Sequence, residues 1–177
     1  MRLPTREQAL EIIDSEKMPP HILAHTMQVN KISLFIASKL AGAGVRVDLH
    51  LADVASLLHD VDKHKTFENK RHGEQAKDLM ASLGYAALGE AMLKHLLTKI
   101  LSEKTWRVEE KIVYYADKRV NHDKIVSLEE RFEYLRTRYG STPQKLGEIN
   151  DCYAPCKKFE RDLLEPIKIR PEELNAL

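Results

Sequence analysis

Five polar residues, His25, His59, His72, His95 and Asp117, occupy positions where the surrounding periodicity calls for buried apolar side chains, and Asp60 adjoins one of them. Burying one polar group without a partner is costly, so several on inward faces need a shared explanation. A metal site supplies one. Neutral imidazole nitrogens and carboxylate oxygens suit Zn, Mn, Fe, Co or Ni, and carboxylates also attract Mg. These ligand types do not distinguish among those ions, nor between one ion and two. His59 and Asp60 are consecutive at the C-terminal end of a helix, about 100° apart around its axis, so both can reach one ion from adjacent directions. One helix cannot surround a cation, and the candidates fall on separate elements, as a bundle with a central site requires. Singly, each has a plainer reading. A lone His on an apolar face is more often a hydrogen-bonded core residue, a His-Asp pair arises by chance in many chains, and Asp117 lies on the surface if the helix phase is off by one. Their joint occurrence carries the weight.

A cation held by such a set lowers the pKa of a bound water and neutralises charge on a phosphoryl oxygen, and a second would help clamp an in-line displacement. Phosphate also calls for positive side chains nearby. Lys63, His64, Lys65, Lys70 and Arg71 follow the His-Asp pair, while Lys118 and Arg119 follow Asp117. Most of these read as solvated loop residues.

The elements that must position these groups are helical nearly throughout. A short helix starts at Thr5, with Thr5 and Gln8 in a capping-box pattern. Pro19-Pro20 opens a second, whose stripe Ile22, His25, Val29, Ile32 and Ile36 faces inward until about Ala41 to Gly44. Asp48 caps a third helix that buries Leu51, Val54, Ala55 and Leu58 and runs into His59 and Asp60. Val61 to Arg71 reads as a polar loop. A fourth helix from about His72 carries His72, Ala76, Leu79 and Leu83 on one face and stops at Gly84. In a fifth, Leu88, Met92, His95 and Leu96 share a face. A sixth, Val108 to about Val120, groups Val113, Asp117 and Val120. Ser127 and Glu130 form another capping box, opening a helix with Leu128, Phe132, Leu135 and Tyr139 on one side and closing at Gly140. That helix packs in the core by default; covering the site or forming a homodimer contact are its alternatives. Thr142-Pro143 opens a last helical segment, which Pro155 should interrupt or kink. Pro166 and Pro171 mark an irregular tail.

The chain has 177 residues, with 28 Lys+Arg against 27 Asp+Glu. That length suits one domain spanning 1–177, with a core large enough to need no staples. The charge balance excludes a disordered chain and a nucleic-acid binder built on bulk positive charge. Cys152 and Cys156 cannot make a disulfide framework, and Pro155 between them with no third ligand nearby favours two reduced thiols over a zinc site. With no apolar signal core in Met1 to Glu7 and no stretch long enough to cross a bilayer, a cytoplasmic protein without a membrane partner is expected.

The segments "AHTMQV" around His25, "LLHDVDK" around His59-Asp60, "HGEQA" after His72, "LKHLL" around His95 and "YYADKRV" around Asp117 resemble the HD-domain superfamily of metal-dependent phosphohydrolases. "LLHDVDK" is similar to its HD-I-G-K variant, with Val61 for Ile, Asp62 where Gly is usual, and Lys63 matching the lysine. The resemblance implies an all-α bundle with its core at about 18–140 and a C-terminal helical extension at about 141–177. It implies that His25, His59, Asp60 and Asp117 hold a primary ion, and that His72 and His95 hold a second with Asp60 bridging. Lys94 and Leu96 flank His95 where many binuclear members carry a further histidine. Asp60 and Lys63 would do the chemistry, Lys63 as a phosphate contact near the ions. The implied substrate is a phosphomonoester or phosphodiester, commonly a nucleotide, although no Gly-rich phosphate loop or base-reading signature is present. Two other functions remain open: a di-iron oxygenase on the same ligands, and a non-catalytic metal- or nucleotide-binding module. His21, His50, His64 and His122 read as surface or loop residues, with His21 as an outer partner of His25 and His64 at the mouth of the site as minor alternatives. Tyr114 and Tyr115 read as packing.

Overall fold

Side-chain caps at Thr5, Asp48, Ser127 and Thr142 fix where their helices begin. The computed structural model describes residues 1–66 and 71–177. Helix α1 (Arg6–Ser15) starts at the expected capping box, in which the Thr5 hydroxyl accepts from Gln8 N and the Gln8 side chain returns to Thr5 N. Helix α2 (Pro20–Gly42) has proline in its first turn, and α3 (Leu49–Leu58) is capped by Asp48, whose carboxylate accepts from Leu51 N. Helices α4 (Glu74–Ser82), α5 (Ala86–Leu93), α6 (Lys99–Ser102) and α7 (Val108–Lys118) follow. Helix α8 (Leu128–Tyr139) opens on the Ser127–Glu130 box, and α9 (Pro143–Leu164) opens where the Thr142 hydroxyl accepts from Lys145 N. Each cap satisfies amide donors that the first turn leaves without helical partners.

Helix α2 runs through the middle and packs against both α3 and α7, which also pack on each other. Two apolar clusters form around this trio. Ala9, Leu51, Val54, Met80, Leu88 and Met92 belong to one, with Ile22 from α2. Tyr114, Phe132, Leu135, Ile149 and Leu163 belong to the other, with Val29, Ile32 and Ile36 from α2. His25 therefore falls, along α2, between the residues that feed one cluster and those that feed the other.

The architecture is all-α as expected, with departures that matter locally. A two-stranded antiparallel ribbon, β1 (Val120–Asn121) and β2 (Lys124–Ile125), follows α7. His72 and His95 are not on helical faces. His72 precedes α4 because Gly73, at φ 82°, breaks the backbone there, and His95 lies beyond the C-cap of α5 at Lys94. Helix α6 was not expected. Helix α9 continues through Pro155 to Leu164 without the expected interruption, and Tyr139 is exposed rather than sharing the buried side of α8. Cys152 and Cys156 are both buried free thiols, each pushed up in pKa by burial, Cys152 to about 11. Tyr114 and Tyr115 pack in the core as read. Among the described residues no helix is long and apolar enough to cross a membrane.

Candidate metal centre

Four imidazoles are aimed inward by what holds their outer nitrogens. His25, in the second turn of α2, donates from Nδ1 to the His122 carbonyl at 2.9 Å. His59 donates from Nδ1 to the Ser56 carbonyl, the residue one turn earlier, at 2.7 Å. His95 does the same to the Met92 carbonyl at 2.7 Å. His72 donates to a carboxylate oxygen of Asp62, also at 2.7 Å. An oxygen acceptor fixes the proton on Nδ1, which leaves each Nε2 facing the interior.

The carboxylates meet those nitrogens. Asp117, in the last turn of α7, sets Oδ1 3.0 Å from His25 Nε2 and 3.9 Å from His59 Nε2. Asp60, in the turn after α3, lies between two sets. Its Oδ2 is 3.6 Å from His25 Nε2 and 3.5 Å from His59 Nε2. Its Oδ1 is 3.1 Å from His72 Nε2 and 3.5 Å from His95 Nε2. Two groups of ligand atoms thus lie within 4.8 Å of one another, His25-His59-Asp60 and Asp60-His72-His95, with Asp60 in both. All six sequence candidates come together.

Electrostatics keep the set ready for a cation. Burial lowers the His59 pKa to about 4, outweighing the attraction of Asp60, so this imidazole is neutral. Burial would raise Asp60, but Lys63 and the neighbouring histidines hold it well below the usual carboxylate range. Burial likewise opposes ionisation of Asp117, where Lys118 and His25 prevail and hold it low. For His72, burial disfavours the charge, yet Asp60 and Asp62 raise its pKa to about 9. A cation bound there would displace that proton.

Among the described residues His59 Nε2 is buried with no hydrogen-bond partner, and the His72 and His95 Nε2 atoms lie 3.1 Å apart. Buried polar atoms are rarely left unpaired. Imidazole nitrogens converging with ionised carboxylates fit a divalent cation, which accepts several donors at once.

Three contributors escaped the sequence reading. Asp62, set aside as a departure from the family pattern, is buried. Beyond holding His72, its Oδ2 accepts from Gly73 N at 2.7 Å and Ala76 N at 2.9 Å, capping α4. Lys118, read as solvated, is buried; its Nζ donates to the His95 carbonyl at 2.9 Å and to Asp117 Oδ2. The His122 ring is exposed, but its carbonyl orients His25. Nothing in the sequence marks a backbone carbonyl.

The basic segment divides. Lys63 donates to Asp60 Oδ2 at 2.6 Å with its side chain 34% exposed, so it reaches both the centre and the cleft outside it. His64 donates from Nε2 to the Glu16 carbonyl and Lys65 pairs with the Glu16 carboxylate, so neither edges the cleft. Arg71 pairs with Asp78, and Lys70 lies outside the described residues. Arg119 is buried in the core rather than solvated. His50 is exposed as expected, and exposed His21 borders the cleft. That cleft, about 280 Å³, opens over His25, Asp60 and Lys63.

The family model described as HD domain matches residues 22–122, more than half of the chain. Among solved structures, the chain is similar to the crystal structure of a predicted HD superfamily hydrolase from an uncultured Thermotogales bacterium. That pair is 22% identical, covering 90% of this chain and 91% of the other, with a TM-score of 0.49. No curated protein matches.

Proposed function

The chain belongs to the HD domain family, and from that premise we propose that it is a metal-dependent phosphohydrolase acting on a phosphomonoester or phosphodiester. The observation that supports this most is the buried inward nitrogen His59 Nε2, without a hydrogen-bond partner among the described residues, within the converging His/Asp set. His25, His59, Asp60 and Asp117 would hold one divalent ion, and Asp60, His72 and His95 a second. Bound there, such an ion supplies acidity to a coordinated water and draws charge off the phosphoryl group. The protein supplies the rest. Asp60, kept ionised by Lys63, is an acceptor able to orient the attacking water. Lys63 faces the cleft and donates to phosphoryl oxygens as negative charge builds there. His59, fully buried, closes the inner wall against bulk solvent.

The test is metal content, followed by turnover. Protein as isolated, and after soaking in Mn, Co or Ni, should contain bound ion by elemental analysis. It should cleave p-nitrophenyl phosphate or its diester, lose that activity to a chelator and regain it on adding metal back. Protein that takes up no ion under any of these conditions would end the proposal.

A further inference from the structure

A buried ammonium stands behind the metal centre. Lys118, the last residue of α7, is 4% exposed. Its Nζ donates to Asp117 Oδ2 and, at 2.9 Å, to the His95 carbonyl, and it lies 4.6 Å from the centre of the Tyr114 ring. Those three partners surround a group with three protons to give. Consecutive residues on a helix do not face each other, so the lysine chain must fold back to meet Asp117. A lysine is almost never buried to this extent unless it is paired.

Lys118 is also the last of three side chains, spaced by one turn of α7, that hold the segment carrying His95. Glu110 accepts from Lys94 Nζ at 2.8 Å, and the Tyr114 hydroxyl donates to the Leu97 carbonyl at 2.8 Å. Those two bonds fix the segment without touching a carboxylate of the centre. Lys118 differs because it sets a positive charge directly against one. Asp117 turns Oδ1 toward His25 and His59, at 3.0 and 3.9 Å, while its Oδ2 is taken by the ammonium. Lys63 takes Asp60 Oδ2 in the same way, but its side chain is 34% exposed at the cleft and is free to turn to a ligand there. Lys118, enclosed, has no such exit.

We infer that Lys118 is a positioning residue: it limits Asp117 to a single oxygen toward the bound cation and sets a fixed positive charge against that cation. The donors then neutralise a divalent ion only in part. This lowers the affinity of the centre and leaves the ion better able to polarise water or a phosphoryl oxygen. Without metal, Asp60 and Asp117 repel each other across the centre, and the same ammonium relieves that repulsion. The inference rests on the centre holding a metal and not on the hydrolysis of any ester.

A side chain that only shapes the site and a charge that opposes the ion imply opposite changes in metal binding. Lys118→Met keeps most of the chain without the charge, and Lys118→Gln keeps a donor for Asp117 without the charge. Calorimetric titration should show both variants binding Mn about tenfold more tightly than the wild type, whereas damage to the site weakens binding. Metal-free, both should melt below the wild type, and saturating Mn should close that gap, refolding either variant if it is unfolded without metal. In crystals of Lys118→Met grown with Mn, both Asp117 oxygens should meet the ion. Tyr114→Phe, which cuts a neutral bond to the His95 segment, should lose stability without gaining Mn affinity. Mn affinity in Lys118→Met and Lys118→Gln equal to or below that of the wild type would overturn the inference. So would variants that stay unfolded in saturating Mn, or an Asp117 that still offers one oxygen in the Lys118→Met crystals. A wild type that binds no Mn would remove the metal reading and the inference with it. Tighter Mn binding by the variants, with no ester hydrolysed under Mn, Co or Ni, would leave the role of Lys118 standing and count against the hydrolase reading alone.

Discussion

Arg119 and His59 are withdrawn from solvent to the same degree, with 1% and 0% of their surface exposed, but their surroundings treat them in opposite ways. All three guanidinium nitrogens of Arg119 donate: Nε to the Val126 carbonyl, one terminal nitrogen to the Tyr115 hydroxyl, the other to the Pro171 carbonyl and Asn175 Oδ1. The Tyr115 hydroxyl donates in turn to Glu160, which also accepts from Lys157. This network ties α7 to α9 and to the 3-10 turn at Pro171–Ala176. Around His59 only the outer nitrogen is satisfied, and the inner one has no partner among the described residues. A buried polar cluster that closes on itself serves the fold. One left open toward a common point serves a ligand, because an unpaired buried group is retained only where something else completes it.

That contrast can be broken by substitution. The largest effect should come from Asp60→Ala, which removes the ligand shared by both groups: hydrolysis should fall by about a thousandfold, and the Mn-induced rise in melting temperature should vanish. Retained turnover in a folded Asp60→Ala protein would detach the site from the chemistry. Arg119→Met should do the reverse. It leaves the Val126 and Pro171 carbonyls, Asn175 and the Tyr115 hydroxyl without their donor and should cost about 3–5 kcal/mol of stability in urea unfolding. The surviving folded protein should still gain about 2.7 kcal/mol from Mn at a hundred times its dissociation constant. A loss below 1 kcal/mol would mean the network is dispensable.

Two smaller changes sharpen the comparison. Asp62→Asn keeps an oxygen for the α4 cap but removes the charge that holds His72. Metal affinity of the Asp60-His72-His95 group should drop about tenfold, and titration with Mn should show one of two binding steps affected and the other unchanged. An unchanged titration would remove Asp62 from the centre. Tyr115→Phe deletes one link of the closed network and should cost about 1 kcal/mol with kcat unchanged; an altered kcat would show that the two clusters communicate.

Much of this was legible in the sequence because it is local. Thr5, Asp48, Ser127 and Thr142 announce helix starts through partners three residues away, and His59-Asp60 is a contiguous pair at a helix end. The convergence of His25, His72, His95 and Asp117 showed as polar residues on inward faces, although His72 and His95 reach the centre from turns. Periodicity placed His95 at its true depth but His72, only partly buried, too deep, and it put both in the wrong element, since it cannot register a left-handed backbone at Gly73. What stayed hidden depends on partners distant in the chain. Lys118 and Arg119 look solvated until α9 and the C-terminal turn close over them. Asp62 finds its role only when His72 folds back ten residues later. The two-residue strands of the ribbon are too short to leave an alternating pattern.

The most direct test is anomalous scattering from crystals of the protein grown with Mn. Two peaks are expected, one among His25, His59, Asp60 and Asp117 and a second among Asp60, His72 and His95, with the Asp60 carboxylate between them. Density free of anomalous signal at both positions, with the His59 inner nitrogen hydrogen-bonded instead to protein or water, would contradict the account.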